Sequence, residues 1–251
     1  MSDPADAPHA VARLRDACLA HSETLPRLDR GEPRKPRCPR CRLAPTHCAC
    51  ASRTSVSTRA GVCLLMGEFE ALKPSNTGWL VADVVPDTHA FAWSRTRVDP
   101  ALLALLDDPR WRPVVVFPGE FAAPGRVITE LPADASRRPL FILLDGTWAE
   151  ARKAFRKSPY LDRFPVLSVT SEQLSRYRLR SAWHEHHLCT SEVASLCLAH
   201  AGDVLAAGLL QAWLDVFSDR YLRAKQSVPP DLDGEPQRRL AALARQAQAA
   251  T

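Results

Sequence analysis

From Gly61 onward, short apolar runs alternate with amphipathic stretches, and this alternation constrains the fold more than any other feature of the chain. The runs at 62–66, 89–93, 113–117, 140–144 and 166–169 are too short for helices and rich in Val, Leu and Phe, so they predict buried strands. Between them, helical periodicity covers 77–85, 101–106 and 148–157. This alternation of strands and helices predicts an α/β domain whose mostly parallel sheet carries helices on both faces. A last helix is expected over 204–221, with Leu205, Leu209, Ala212, Trp213, Val216 and Phe217 on one face.

The flanks read differently. Residues 1–36 hold Val11, Leu14, Ala17 and Cys18 at helical spacing, then a Pro- and Arg-rich stretch, and predict a peripheral helix with a tether. Residues 37–53 form a cysteine knuckle, 54–227 the α/β domain, and 228–251 a tail. That tail opens on a Pro-Pro-Asp-Leu-Asp-Gly-Glu-Pro break and is expected to be mobile or weakly helical. The best apolar stretch, 204–214, falls short of the roughly 20 residues a membrane span needs, so no membrane association is expected. Asp3 and Asp6 precede any apolar stretch, the reverse of a secretory signal, and a cytoplasmic location follows as the expectation.

In that compartment thiols stay reduced, so clustered cysteines call for a metal. Cys38 and Cys41 form a Cys-x-x-Cys arm, and Cys48 and Cys50 supply a second, shorter arm. Four thiolates at this spacing suit a structural Zn²⁺, with an iron–sulfur cluster or a redox pair as the alternatives. A closed four-thiolate site leaves no open coordination position, so its role is architectural or RNA-facing. His184, His186 and His187 lack the spacing of a zinc-protease helix and read as a polar loop.

In an open α/β sheet the chemistry gathers beyond the carboxyl ends of the strands. The first strand leads to Lys73-Pro-Ser75-Asn76-Thr77-Gly78, the third to Phe117-Pro118-Gly119-Glu120, and the fourth to Asp145-Gly146-Thr147-Trp148. Thr147 and Glu150 have capping-box spacing, which leaves Asp145 available for chemistry or for a turn. Leu188-Cys189-Thr190 precedes a further helix start. No P-loop, Gly-x-Gly-x-x-Gly or Gly-x-Ser-x-Gly occurs, which removes the commonest nucleotide-binding and hydrolase signatures.

Net charge is a modest +5, but its distribution is uneven. Arg34, Lys35, Arg37, Arg40, Arg42 and Arg53 fall in a stretch without acids, and a second basic block runs from Arg152 and Arg156 to Arg178 and Arg180. Such blocks read either as a localised polyanion surface or as solvated faces.

Lys73-Pro-Ser-Asn-Thr-Gly78, Phe117-Pro118, Asp145-Gly-Thr-Trp148, Tyr177-Arg-Leu-Arg180 and Cys189-Thr-Ser-Glu192, preceded by the four cysteines, resemble the DTW-domain family of bacterial tRNA-uridine aminocarboxypropyltransferases. The resemblance implies a SPOUT-like fold with a knotted cofactor pocket and S-adenosyl-L-methionine as donor. It further implies transfer of the 3-amino-3-carboxypropyl group to N3 of a uridine in the tRNA variable loop, with methylthioadenosine released. Asp145 then becomes the base for N3, with Glu68, Glu120 and Glu192 as alternatives. The loops at Ser75, Asn76, Thr77, Gly78, Phe117, Pro118, Gly119, Glu120, Gly146, Thr147, Trp148, Leu188, Cys189 and Thr190 become the donor site. The Ser75–Gly78 helix start suits the donor's carboxylate. Arg40, Arg42, Arg152, Arg156, Arg178 and Arg180 become tRNA contacts, and a monomer is the favoured assembly. Trp79 stands where the family often has a basic residue, and if it faces the substrate it replaces charge with stacking. Two rival functions remain open at this point: a SPOUT-type RNA methyltransferase using the same donor, and a non-catalytic zinc-ribbon RNA-binding protein.

Overall fold

The computed structural model describes residues 7–21, 36–67, 69–131, 136–168 and 188–249. Among these, six strands form one sheet: β1 Gly61–Met66, β2 Thr88–Ala92, β3 Trp111–Val116, β4 Val127–Ile128, β5 Arg138–Asp145 and β6 Val166–Leu167. Their order is β2-β1-β5-β3-β6-β4, and every pair is parallel. The helices are α1 Ala10–His21, α2 Gly78–Val84, α3 Pro100–Asp107, α4 Trp148–Arg156, α5 Thr190–His200, α6 Val204–Lys225 and α7 Glu235–Ala249.

Alternation along the central strands sends side chains to two cores, as period-two geometry requires. Val62, Leu64, Phe141 and Leu143 pack with Trp79 of α2 and with Leu209, Trp213 and Phe217 of α6. Cys63, Leu65, Leu140 and Ile142 pack with Leu102 and Leu106 of α3 and Phe155 of α4. The expected α/β sheet with helices on both faces is therefore present, while the sheet order by itself shows no knot. β4 has no counterpart in the sequence reading, because two residues at a sheet edge leave no periodic signal. Val169, the last residue of the fifth expected run, lies outside the described residues. No helix among the described residues is long and apolar enough to cross a membrane.

The structure gives the flanks and Trp79 specific contacts. The tail carries α7, a 15-residue helix laid against α6 with Leu240 and Ala247 buried. Its apolar stripe is sparse, so it gains order from tertiary packing rather than propensity. Helix α1, the expected peripheral helix, seats one face on the core: Val11 is fully buried, and His9 just before it meets the Trp79 ring edge-on with centroids 4.5 Å apart. Trp79 itself is 3% exposed and donates its indole N–H to the Arg40 carbonyl at 2.9 Å. It anchors the knuckle to α2 and stacks on no substrate.

Asp83 of α2 ties these pieces together. Its Oδ2 accepts from Trp213 Nε1 at 3.0 Å, while Oδ1 lies 3.3 Å from Arg53 Nε and 3.5 Å from His9 Nε2. Burial pushes the Asp83 carboxyl up to about 7, against the pull of Arg53, Trp213 and Arg40. Burial, with help from Arg53 and Arg13, takes His9 down to about 3, so its ring is neutral. The folded protein thus keeps a proton on Asp83 that the unfolded chain loses above 3.8. That contribution is full below the unfolded value and disappears as pH rises through the folded one. Asp83→Asn keeps the neutral shape at every pH. In thermal unfolding its midpoint, relative to the unsubstituted chain, is expected to be more favourable at about pH 9 than at about pH 5. A difference that does not vary with pH contradicts the assignment.

Candidate functional site

β1 and β5 pair with Met66 opposite Asp145, so both strands end at one level, and Gly67 N–H donates to the Asp145 carbonyl at 2.8 Å. The Asp145 side chain is buried at 6% exposure. Its Oδ2 accepts from Asn76 Nδ2 at 2.8 Å, and its Oδ1 accepts from Thr190 Oγ1 at 2.5 Å. Asn76 Oδ1 in turn accepts from Trp79 N–H at 2.9 Å, so one amide caps α2 and grips the carboxylate. A Cβ on Gly78 would lie 2.7 Å from Asp145 Oδ2, so glycine is required for this close approach. Burial raises the Asp145 pKa above the ordinary carboxylate range, opposed by the Asn76 and Thr190 bonds. Each oxygen retains an unused lone pair. The result is a positioned carboxylate, more basic than a surface one.

The expected donor-site residues sort into groups. Asn76, Thr77, Gly78 and Thr190 gather at Asp145, with Ser191 N–H at 3.5 Å from Thr77 Oγ1. Ser191 Oγ is buried there without a hydrogen-bond partner among the described residues. On the β3 side, Phe117 stacks under Trp148 at 5.4 Å and 10°, and Phe155 continues the stack at 4.5 Å and 12°. The turn after β3 holds Pro118, Gly119 and Glu120, and Gly119 N–H donates to Ser168 Oγ at 3.0 Å. Thr147 caps α4 with Glu150 reaching back to its N–H at 2.8 Å, and Gly146 lies against the Glu150 side chain. Ser75 is exposed, and Leu188 and Cys189 lie half-buried before α5.

The alternative bases fare differently from Asp145. Glu192 spends its carboxylate on Cys189 N–H at 2.7 Å, and Glu120 is exposed in the turn after β3. Glu68 lies outside the described residues. At the Ser75–Gly78 segment, expected to suit the donor's carboxylate, the Asp145 carboxylate lies close by, bonded to the Asn76 side chain.

A pocket of about 430 Å³ opens on the other side of Asp145, between the end of β2 and α4. Leu65, Leu144 and Ala154 form apolar lining, and Trp93, Arg95, Asp145, Glu150 and Lys153 supply polar lining. Its size is within the range of small-molecule sites, roughly 300–1,000 Å³. Of the expected site residues Asp145 alone lines it. Trp93, Ser94 and Arg95 carry no motif of their own in the sequence. Their signal was the apolar run at 89–93, whose carboxyl end lies beside that of β1.

The four cysteines converge, with all Sγ atoms within 4.8 Å of one another. Bonds of about 2.3 Å to a tetrahedral ion require sulfurs about 3.8 Å apart. The separations are 3.5 Å for Cys38–Cys50, 3.7 Å for Cys38–Cys48 and 3.8 Å for Cys41–Cys48. The donor set and its span fit zinc. Arg42 turns the first arm with φ 63°, and its N–H donates to the Cys38 carbonyl at 2.9 Å. Burial favours a raised Cys38 thiol, yet backbone N–H bonds from Cys41 and Arg40 prevail and bring it down to about 7.

The basic blocks divide as well. Arg152 and Arg156 are exposed on α4, with the Arg152 guanidinium 4.8 Å over the Phe121 ring. Arg40 is exposed on the knuckle. Arg42, expected to face RNA, is instead buried with its guanidinium 5.5 Å over the Trp79 ring, and burial takes its pKa down to about 10. Arg178 and Arg180 lie outside the described residues, as does the 184–187 stretch.

Comparison with known proteins adds two findings. A family model described as "DTW domain" matches residues 35–222. A tRNA-uridine aminocarboxypropyltransferase 2 of Drosophila melanogaster is 31% identical over 98 residues, 39% of this chain and 37% of that protein. The match thus spans little more than a third of the relative's length. No solved structure matches significantly.

Proposed function

Because the chain belongs to the DTW domain family, we propose that it modifies tRNA, transferring the 3-amino-3-carboxypropyl group of S-adenosyl-L-methionine to uridine N3 in the variable loop. The observation that carries this reading is Asp145. A buried carboxylate, fixed by Asn76 and Thr190 at the end of the sheet, borders a pocket of small-molecule size. The similar Drosophila protein, by its name, performs a reaction of this class.

The donor supplies an electrophilic γ-carbon next to a sulfonium. The N3–Cγ bond forms as the Cγ–S bond breaks, the N3 proton passes to Asp145, and sulfur keeps the electron pair in neutral methylthioadenosine. Protonated N3 is a poor nucleophile, so the carboxylate's task is to take that proton as attack proceeds. Asn76 and Thr190 hold both oxygens in place, which limits the reorganisation the step requires. A SPOUT-like knot would contribute the β3, β5 and α5 loops to the donor site, and zinc on the four cysteines would brace the N-terminal side. Mass spectrometry of nucleosides from tRNA incubated with protein and donor is the test. A uridine heavier by one aminocarboxypropyl group is the expected product, and a methylated nucleoside in its place contradicts the proposal.

Arg152 and Arg156 project from the same helix that borders the pocket, which suits phosphate contacts. Replacing both with Glu is expected to weaken tRNA binding and flatten its salt dependence while donor affinity holds. Unchanged binding and salt slope would assign the two arginines to a solvated face.

A further inference from the structure

We propose that Arg95 and Lys153 hold the α-carboxylate of the donor's aminocarboxypropyl group in the pocket beside Asp145. The proposal deepens the reading of this chain as an aminocarboxypropyltransferase and rests on it. Any enzyme that delivers this group must fix its carboxylate so that the γ-carbon, and not the methyl, faces the nucleophile. The start of α2 and the side chain of Thr190 at the start of α5 are already engaged by Asp145, through Asn76 on one side and Thr190 on the other. The pocket next to them offers two cationic side chains, Arg95 from the end of β2 and Lys153 from α4. Both are exposed, and neither has a hydrogen bond or ion pair among the described residues. Lys153 rests its ammonium 5.8 Å from the centre of the Trp93 ring. That ring is pinned by an indole N–H bond to buried Ser158 Oγ at 2.8 Å.

The charge pattern identifies the ligand class. Two cations share the lining with two carboxylates, Asp145 and Glu150. Hydrogen bonds from Thr147 hold Glu150 below the ordinary carboxylate range, so it is ionised at neutral pH. An RNA phosphate entering this pocket would meet both carboxylates. A zwitterion matches the pattern, its carboxylate toward Arg95 and Lys153 and its ammonium toward Glu150, which leaves Asp145 for the uridine proton.

Isothermal titration with S-adenosylmethionine and with decarboxylated S-adenosylmethionine tests the assignment. The unsubstituted protein is expected to prefer the carboxylate-bearing ligand by a factor on the order of 10 to 100, the yield of charge-assisted hydrogen bonds to one anion. The Arg95→Ala, Lys153→Ala double variant is expected to bind both ligands about equally, with an unchanged thermal midpoint because both side chains are exposed. A variant that keeps the preference overturns the proposal. So does one that keeps it while losing tRNA affinity, which would assign the two cations to phosphate. If the unsubstituted protein binds neither ligand, the aminocarboxypropyltransferase reading fails first and takes this proposal with it.

Discussion

Asp145→Asn is expected to lower turnover by a factor on the order of 10² to 10⁴, leaving the fold and tRNA binding intact. The asparagine can keep its carbonyl oxygen on Asn76 Nδ2 and give its amide N–H to Thr190 Oγ1, which then accepts where it now donates. The neighbouring helix starts therefore survive while the basic group is lost. Raising the pH is expected to restore part of the rate, since N3 then ionises without assistance. Steady-state rates across a pH series check both points. Loss of donor binding with no recovery at high pH would make Asp145 a donor ligand instead of a base.

The second large effect lies in the knuckle. About one zinc per chain is expected by metal analysis, lost in a Cys38→Ala, Cys41→Ala double variant. Metal binding to four thiolates is coupled to folding, with about 10–16 kcal/mol measured in zinc-finger peptides. Here the knuckle is wedged into the main core through fully buried Cys41 and Leu43. It also anchors α2, through Trp79 to the Arg40 carbonyl and through Arg53 to Asp83. Zinc removal is therefore expected to lower the thermal midpoint and to loosen the Asn76 grip on Asp145, reducing activity as well. Stoichiometric iron in place of zinc contradicts the assignment of the metal.

The sheet and the helix that follows Asp145 were legible in the sequence because each had a strong local cause. Buried parallel strands such as β1 are apolar on both faces, and the Thr147–Glu150 box marks a helix start from spacing alone. The strand order was not legible, since β5 enters between β1 and β3 through contacts that no local pattern records. The same holds for side chains whose role depends on a distant partner. Arg42 reads as one more surface cation until Trp79 is placed beneath it, and Trp93 gains meaning only when α4 closes the pocket over it. Helix α7 reads from the sequence as only weakly helical for a related reason. Its stripe is weak, and its order comes from α6, against which Leu240 is buried.

The central claim is that the side chain of the donor, and not its methyl group, is delivered to uridine. The most direct measurement is the identity of the nucleoside released when the protein is incubated with tRNA and S-adenosylmethionine. Methylthioadenosine, formed in proportion to modified tRNA and at a strongly reduced rate with Asp145→Asn, is the result this account predicts. S-adenosylhomocysteine in its place would show methyl transfer and contradict it.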